Sequence, residues 1–131
     1  MNKNTNTKTM QANTTSSLIA NKKQVPKEFN RVSKSYDKAT GLSQGYQSDL
    51  NRSASMLELK GDEMVLDLCC GTGKSTAGVF KHLKTGKVMG VDNSEGMLEE
   101  ANKKYANEIA EGKAEFILKD AMELDFEENS F

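Results

Sequence analysis

The stretch "LDLCCGTGKST", residues 66–76, closes an apolar run with an acid and continues into a glycine-rich loop. The run begins at Met64, and a short apolar run that breaks into such a loop is typical of a buried parallel strand. Two kinds of nucleotide loop share this outline. Gly73-Lys74-Ser75 resembles the end of a phosphate-binding loop, whereas Asp67 followed by Gly71-Thr72-Gly73 resembles a loop that holds a nucleoside cofactor.

The phosphate-loop alternative fails at its first glycine. The pattern G-x-x-x-x-G-K-[ST] requires a glycine at position 68, and the chain has Leu68 there. A leucine obstructs the turn in which successive N–H groups wrap a phosphate, and Asp67 adds negative charge beside it. The dinucleotide pattern G-x-G-x-x-G is met only in part, because Thr76 stands in place of its third glycine.

Strands and helices alternate downstream of the loop. A second apolar run, Val88–Val91, ends at Asp92, and a third, Phe116–Leu118, ends at Lys119-Asp120. The segments between the runs carry apolar residues at helical spacing, and Asn93 or Ser94 is suited to cap the second of them. This alternation predicts an α/β fold, a Rossmann-like doubly wound parallel sheet with right-handed crossovers. The two helical stripes are Thr76, Val79, Phe80 and Leu83, and Met97, Leu98, Ala101 and Tyr105, with Ile109 as an extension.

Upstream of the loop, the sequence predicts two leading helices over residues 26–60, separated by a break at Gly41. Residues 1–25 are rich in Asn, Thr and Ser and contain no Asp or Glu, so we expect a mobile polar tail. An organellar transit peptide is also free of acids, but it carries arginine, and Arg31 is the first in this chain. The predicted helical stripes are Phe29, Val32, Tyr36 and Ala39, and then Leu42, Tyr46, Leu50, Ala54 and Leu57.

Bulk composition excludes several classes of protein. The formal net charge of −1 over 131 residues argues against a nucleic-acid surface, which needs a basic excess. No apolar run is long enough to span a membrane. Cys69 and Cys70 are adjacent, so they form neither a disulfide framework nor a metal-binding motif, and no metal site is predicted. We therefore expect a cytoplasmic protein.

Acids at three strand ends strengthen the nucleoside interpretation. Asp92 lies about 20 residues beyond the glycine loop, where a carboxylate accepts both ribose hydroxyls of a nucleoside. Asp120-Ala121 offers a side-chain acceptor and a backbone N–H for the amino edge of adenine, and Asp67 offers an acceptor for an ammonium group. Together they fit S-adenosylmethionine better than a pyrophosphate. Each acid also has a structural alternative. Asp92 would be a strand-end cap or a helix-start acid, Asp120 would form an Asx turn, and Asp67 would accept hydrogen bonds from loop amides.

Three motifs in order, "VLDLCCGTG", "VMGVDNSEGML" and "FILKDAMELDFEENSF", resemble the class I S-adenosylmethionine-dependent methyltransferases. The leading "FNRVSKSYD" and the paired cysteines resemble the ubiquinone/menaquinone biosynthesis C-methyltransferases in particular, although Cys69 stands where most of the superfamily has glycine. The resemblance implies an S-adenosylmethionine cofactor and a small-molecule methyl acceptor, with C-methylation of a quinone-like ring as one candidate. The residues implied or predicted to bind the cofactor are Asp67, Gly71, Thr72, Gly73, Asp92, Asn93, Asp120 and Ala121. The resemblance implies that Thr72 lies near the methionine tail of the cofactor, and that Gly71 and Gly73 let the cofactor approach the backbone.

The family sheet has seven strands, and the resemblance aligns residues 61–131 with its N-terminal half of three strands. We therefore expect a fragment with an open sheet edge, prone to self-association and with little turnover alone. No catalytic residue is assigned, because no convincing general base is present. Two alternatives stay open, a nicotinamide-dependent oxidoreductase half-domain and a non-catalytic nucleoside-binding module.

Overall fold

A computed structural model of the chain describes residues 23–43 and 45–131. The predicted mobile tail, residues 1–25, lies outside the described part except for its last three residues. The predicted alternation of strands and helices is confirmed from the first strand onward. In chain order the elements are α1 (Val25–Gly41), α2 (Tyr46–Ser55), β1 (Met64–Leu68), α3 (Lys74–Phe80), β2 (Lys87–Asp92), α4 (Glu95–Lys104), α5 (Ala106–Ala110) and β3 (Ala114–Leu118).

The three strands form one parallel sheet in the order β1-β2-β3, which confirms the predicted α/β class. The register places Asp67 beside Gly90, and Gly90 beside Phe116. All three strands therefore end at the same edge of the sheet, where loops carry the predicted site residues. Within the described residues no strand pairs with the other side of β1, so that side is an open edge of the sheet.

The two leading helices pack on the connecting helices, α2 against α3 and α1 against α4. A Cβ atom on Gly78 of α3 would lie 3.2 Å from the Ala54 side chain of α2, so the missing side chain permits this close approach. Ala54, Val79 and Val88 form the buried cluster between these helices and the sheet. The prediction of a stripe from Leu42 to Leu57 was too long: both of these residues lie outside α2, and Leu42 is 80% exposed.

Helix α4 begins as its sequence predicts. The Ser94 hydroxyl accepts a hydrogen bond from the Met97 backbone N–H, which satisfies one of the free donors at the helix start. The predicted apolar stripe is buried from Met97 to Tyr105, with Met97 and Ala101 almost fully so, whereas its predicted extension, Ile109, is half-buried and lies in α5. The helix ends at Lys104, and the turn at Tyr105 separates it from the short α5.

Three aromatic rings join α3, the turn after α4 and β3. The Tyr105 ring lies 5.6 Å from Phe80 and 5.5 Å from Phe116, measured between centroids. Phe116 covers Gly90, where a Cβ atom would approach the ring to 2.4 Å. This stack fixes the carboxyl half of the sheet against the helices.

None of the helices in the described part is long and apolar enough to cross a membrane.

Candidate functional site

The glycine loop, residues 69–73, has an unusual backbone that brings the N–H groups of Cys70 and Gly71 to the end of β2. Cys69, Gly71 and Gly73 all have positive φ angles, of 56°, 55° and 77°. The loop is pinned to the sheet by a 3.1 Å hydrogen bond from the Cys70 N–H to the Val91 carbonyl. It closes on itself through the Gly73 N–H, which donates to the Cys70 carbonyl at 2.9 Å. The sequence prediction of a loop between a strand end and a helix start is confirmed.

Cys69 is the one non-glycine residue of this loop at positive φ, where an L-residue is strained by about 1–2 kcal/mol. We expect Cys69→Gly to leave the free energy of unfolding unchanged or to raise it by up to about 1 kcal/mol, since glycine also costs entropy. Urea denaturation measures the change. Cys70→Gly is the matched control: Cys70 is buried, so removing its side chain should destabilise the chain. A clear loss of stability in Cys69→Gly would contradict the prediction.

Asp92 ties the glycine loop to the end of β2. Its Oδ2 accepts a hydrogen bond from the Gly71 N–H at 2.9 Å, and its Oδ1 accepts one from the Ser94 N–H, also at 2.9 Å. The structural alternative for this residue is therefore realised. Each carboxylate oxygen has more than one acceptor position, so both can still accept a further hydrogen bond from a ligand.

Asp67 sits beneath the same loop and is held by the first turn of α3. Its Oδ2 accepts from the hydroxyls of Ser75 and Thr76, both at 2.7 Å. No donor among the described residues reaches its Oδ1. The sequence predicts Thr76 as part of an apolar helical stripe and gives Ser75 no binding role, yet both hydroxyls orient this carboxylate and leave one oxygen for a ligand.

Asp120 and Ala121 follow β3 at the same edge of the sheet. The Asp120 Oδ1 accepts a hydrogen bond from the Met122 N–H at 2.9 Å, which is the Asx turn considered as its structural alternative. Asp120 is exposed, as is Asn93 beyond β2. Partial burial, together with the nearby carboxylates of Asp92, Asp120 and Asp67, raises the pKa of the Cys69 thiol.

A cavity of about 240 Å³ opens beside the glycine loop. Of the predicted residues it includes Asp67, Gly71 and Thr72 in its wall. The other five lie outside that wall, namely Gly73, Asp92, Asn93, Asp120 and Ala121. A Cβ atom at Gly71 would meet no other atom within 4 Å, so the loop backbone is open to a ligand there. The volume is below the roughly 300–1,000 Å³ of a typical ligand pocket. The leading helices add Tyr36, Tyr46 and Leu50 to the wall.

Helix α1 contributes polar contacts that the sequence analysis missed. Asp37 accepts hydrogen bonds from the Thr72 hydroxyl and from Lys104, and the Lys74 ammonium donates to the Thr40 hydroxyl at 2.8 Å. Lys74 therefore points at the leading helix, which removes the last feature of a phosphate loop. The signal that could have revealed Asp37 is its place in "FNRVSKSYD", the leading motif of the resemblance.

Two titratable side chains of the cavity wall, Cys70 and Tyr36, are poor nucleophiles at neutral pH. Burial, with Asp67 and Asp92 nearby, strongly raises the pKa of Cys70. Burial and the neighbouring Tyr46 hydroxyl raise the pKa of Tyr36 to about 12. These groups therefore stay protonated. The arrangement can bind and orient a ligand, but it offers no thiolate from Cys70 and no phenolate from Tyr36.

Comparison with known proteins gives a family. A family model described as the ubiE/COQ5 methyltransferase family matches residues 17–131. Two demethylmenaquinone methyltransferases, from Staphylococcus aureus strains JH9 and Newman, are each 40% identical to this chain over 116 residues. The matched region is 86% of this chain and 46% of each relative, so the chain spans about half the length of the curated relatives it matches.

Solved structures share the fold. Magnesium protoporphyrin IX methyltransferase from Synechocystis PCC 6803, solved with bound SAM, is similar over 79% of this chain and 56% of its own, with a TM-score of 0.66 and 24% identity. The [4+2]-cyclase SpnF is similar over 82% of this chain and 46% of its own, with a TM-score of 0.66 and 21% identity. One of these proteins is named as a methyltransferase and the other as a cyclase, so the fold by itself does not identify a reaction.

Proposed function

The chain belongs to the ubiE/COQ5 methyltransferase family, and on that premise we propose that it supplies the cofactor-binding part of an S-adenosylmethionine-dependent methyltransferase. The observation that carries the proposal is the geometry of the glycine loop. Asp92 accepts a hydrogen bond from the Gly71 N–H of this loop, and Asp67 beside it has one carboxylate oxygen, Oδ1, to which no described residue donates. A small molecule is the proposed methyl acceptor. A quinone-like ring carbon is the proposed site of methylation, since the relatives are named demethylmenaquinone methyltransferases.

The residues present fit S-adenosylmethionine at three points. The open space over Gly71 allows close approach of a ligand to the loop backbone. The unclaimed Oδ1 of Asp67 is suited to the cofactor's ammonium group, either directly or through a water. The remaining acceptor positions of Asp92 suit two ribose hydroxyls. Asp120 and Ala121 stay the proposed adenine contacts and Asn93 stays a proposed cofactor contact, although all three lie outside the wall of the cavity.

Gly73 has a second reason to be a glycine. Its predicted role was to let the cofactor approach the backbone, and its missing side chain also makes room for the Tyr105 ring. The Tyr105 hydroxyl donates a hydrogen bond to the Gly73 carbonyl at 2.6 Å. Gly73 therefore allows the loop to pack on Tyr105, while the space beside Gly71 is left open to a ligand.

Bound S-adenosylmethionine supplies a sulfonium methyl group for in-line transfer to a nucleophilic atom. The contribution of this chain is to bind and orient the cofactor, and alignment of reacting groups contributes several kcal/mol to lowering a barrier of this kind. Proton removal from a phenolic acceptor would need a base, and Tyr36, Cys69 and Cys70 all have raised pKa values. The described residues around the cavity therefore act by positioning the reactants.

Calorimetric titration tests the cofactor. We expect S-adenosylhomocysteine, the demethylated cofactor, to bind the chain more tightly than NADH or ATP. The reason is that the site offers acceptors for an ammonium group and lacks the pattern of a loop whose N–H groups wrap a phosphate. Preferential binding of NADH would favour the oxidoreductase alternative, and preferential binding of ATP would favour a phosphate loop. Either result, or the absence of binding by all three ligands, would contradict the proposal.

A further inference from the structure

Asp37 is the point where helix α1 meets the glycine loop. Its Oδ1 accepts a hydrogen bond from the Thr72 hydroxyl, and its Oδ2 accepts one from the Lys104 ammonium at the end of α4. Lys104 also donates to the Thr72 carbonyl at 2.9 Å. A closed set of contacts therefore joins α1, the loop and α4 through a single threonine.

These contacts decide what Thr72 can offer a ligand. A threonine hydroxyl has one hydrogen to donate and two positions at which it accepts. Burial works against ionisation of Asp37, but the hydrogen bonds from Lys104 and Thr72 outweigh it and lower its pKa. Asp37 is therefore a carboxylate at neutral pH and cannot donate, so the Thr72 hydroxyl must. With its hydrogen committed, Thr72 can only accept a hydrogen bond from a molecule in the cavity.

Helix α1 is held in place independently at a second point. The Asn30 Oδ1, two helical turns before Asp37, accepts from the Ser94 hydroxyl at 2.7 Å and from the Gly96 N–H at 2.8 Å. One face of α1 thus contacts both loops that follow β1 and β2. Two separate sets of contacts therefore position helix α1, and with it Asp37, beside Thr72.

We propose that Asp37 is a positioning residue for the amino-acid tail of the cofactor, holding the Thr72 hydroxyl as an acceptor for the tail's ammonium group. The inference rests on the proposed function, since it requires S-adenosylmethionine in the cavity and takes from the resemblance the placement of Thr72 near the methionine tail. An acceptor in this position favours an ammonium group and disfavours a carboxylate. The leading helix thereby takes part in recognising one end of the cofactor.

The test compares two ligands that differ in the tail. S-adenosylhomocysteine carries the amino-acid tail, and 5′-methylthioadenosine keeps the nucleoside and lacks it. We expect Asp37→Ala to weaken binding of S-adenosylhomocysteine about tenfold, the order expected for an ionic hydrogen bond, and to leave 5′-methylthioadenosine binding nearly unchanged. Glu28→Ala is the matched control, because Glu28 is an acid of the same helix that pairs only with the exposed Arg31 among the described residues.

A double-mutant cycle separates positioning from general support of the loop. In a Thr72→Val background, Asp37→Ala should cause no further loss of S-adenosylhomocysteine affinity, because the hydroxyl through which Asp37 acts is gone.

If Asp37→Ala fails to fold, Asp37→Asn replaces it. Its amide oxygen can still accept from Thr72, so it should keep most of the affinity while losing the ion pair with Lys104.

Equal weakening of both ligands, or full additivity in the cycle, would overturn the inference and leave the proposed function standing. So would an Asp37→Ala variant that binds S-adenosylhomocysteine as the unaltered chain does, or an Asp37→Asn variant that loses about tenfold in affinity. Failure of the unaltered chain to bind S-adenosylhomocysteine would overturn the proposed function, and the inference with it.

Discussion

Gly73→Ala is expected to destabilise the chain by about 3 kcal/mol or more and to abolish binding of S-adenosylhomocysteine. Gly73 has a φ of 77°, which costs an alanine about 1–2 kcal/mol. The added Cβ would also lie 2.5 Å from Cε2 of Tyr105, so the ring must move, and overpacking of this kind costs about 1–3 kcal/mol. Movement of Tyr105 breaks its hydrogen bond to the Gly73 carbonyl and disturbs its packing on Phe80 and Phe116.

Gly112→Ala is the control that isolates the clash. Gly112 has a similar φ of 68°, and a Cβ atom there would meet nothing within 4 Å. It should therefore show only the backbone cost of about 1–2 kcal/mol, with cofactor binding intact. Urea denaturation followed by circular dichroism measures both variants, and titration measures binding. If Gly73→Ala is no less stable than Gly112→Ala, Tyr105 does not brace the loop.

The sequence predicted the sheet well because its signals are local. An apolar run that ends in an acid and a glycine loop indicates a buried strand, and the cap at Ser94 is a short-range hydrogen bond. The leading helices were predicted less accurately. The spacing of Leu42 matched a helical stripe, yet Leu42 lies in the connection before α2 and is exposed. The prediction failed because periodicity does not reveal whether a surface is present for the side chain to pack against.

The candidate site divides in the same way. The acids at the strand ends could be predicted because parallel strands finish at a common edge. Asp37 could not be assigned, because its role depends on the docking of α1 against α4 and the loop, which are far from it in sequence. Asp92 and Asp120 each accept a hydrogen bond from a backbone N–H group, which is the kind of structural role that the sequence left open for them. A structural role and a ligand role coexist in one carboxylate when it has acceptor positions to spare.

Asp92→Ala is expected to weaken binding of S-adenosylhomocysteine at least about a hundredfold, because two ionic hydrogen bonds to the ribose would be lost. The substitution also removes the acceptors of the Gly71 and Ser94 N–H groups, so some loss of stability should accompany it. Binding loss by itself therefore does not separate a ribose contact from a collapsed loop. Glu95→Ala, which removes an exposed acid from the first turn of α4, is the matched control and should bind normally.

A ligand without the ribose hydroxyls makes that separation. The 2′,3′-dideoxy analogue of S-adenosylhomocysteine has nothing to donate to Asp92, so it should bind the unaltered chain weakly, and Asp92→Ala should weaken it little further. If Asp92 acts only by holding Gly71, the substitution weakens the two ligands by the same factor, because both need the loop. Equal factors would contradict the ribose assignment and would leave Asp92 as a brace of the loop. A larger factor for the hydroxylated ligand would support direct contact, since the two acceptor oxygens would then serve the loop and the cofactor together.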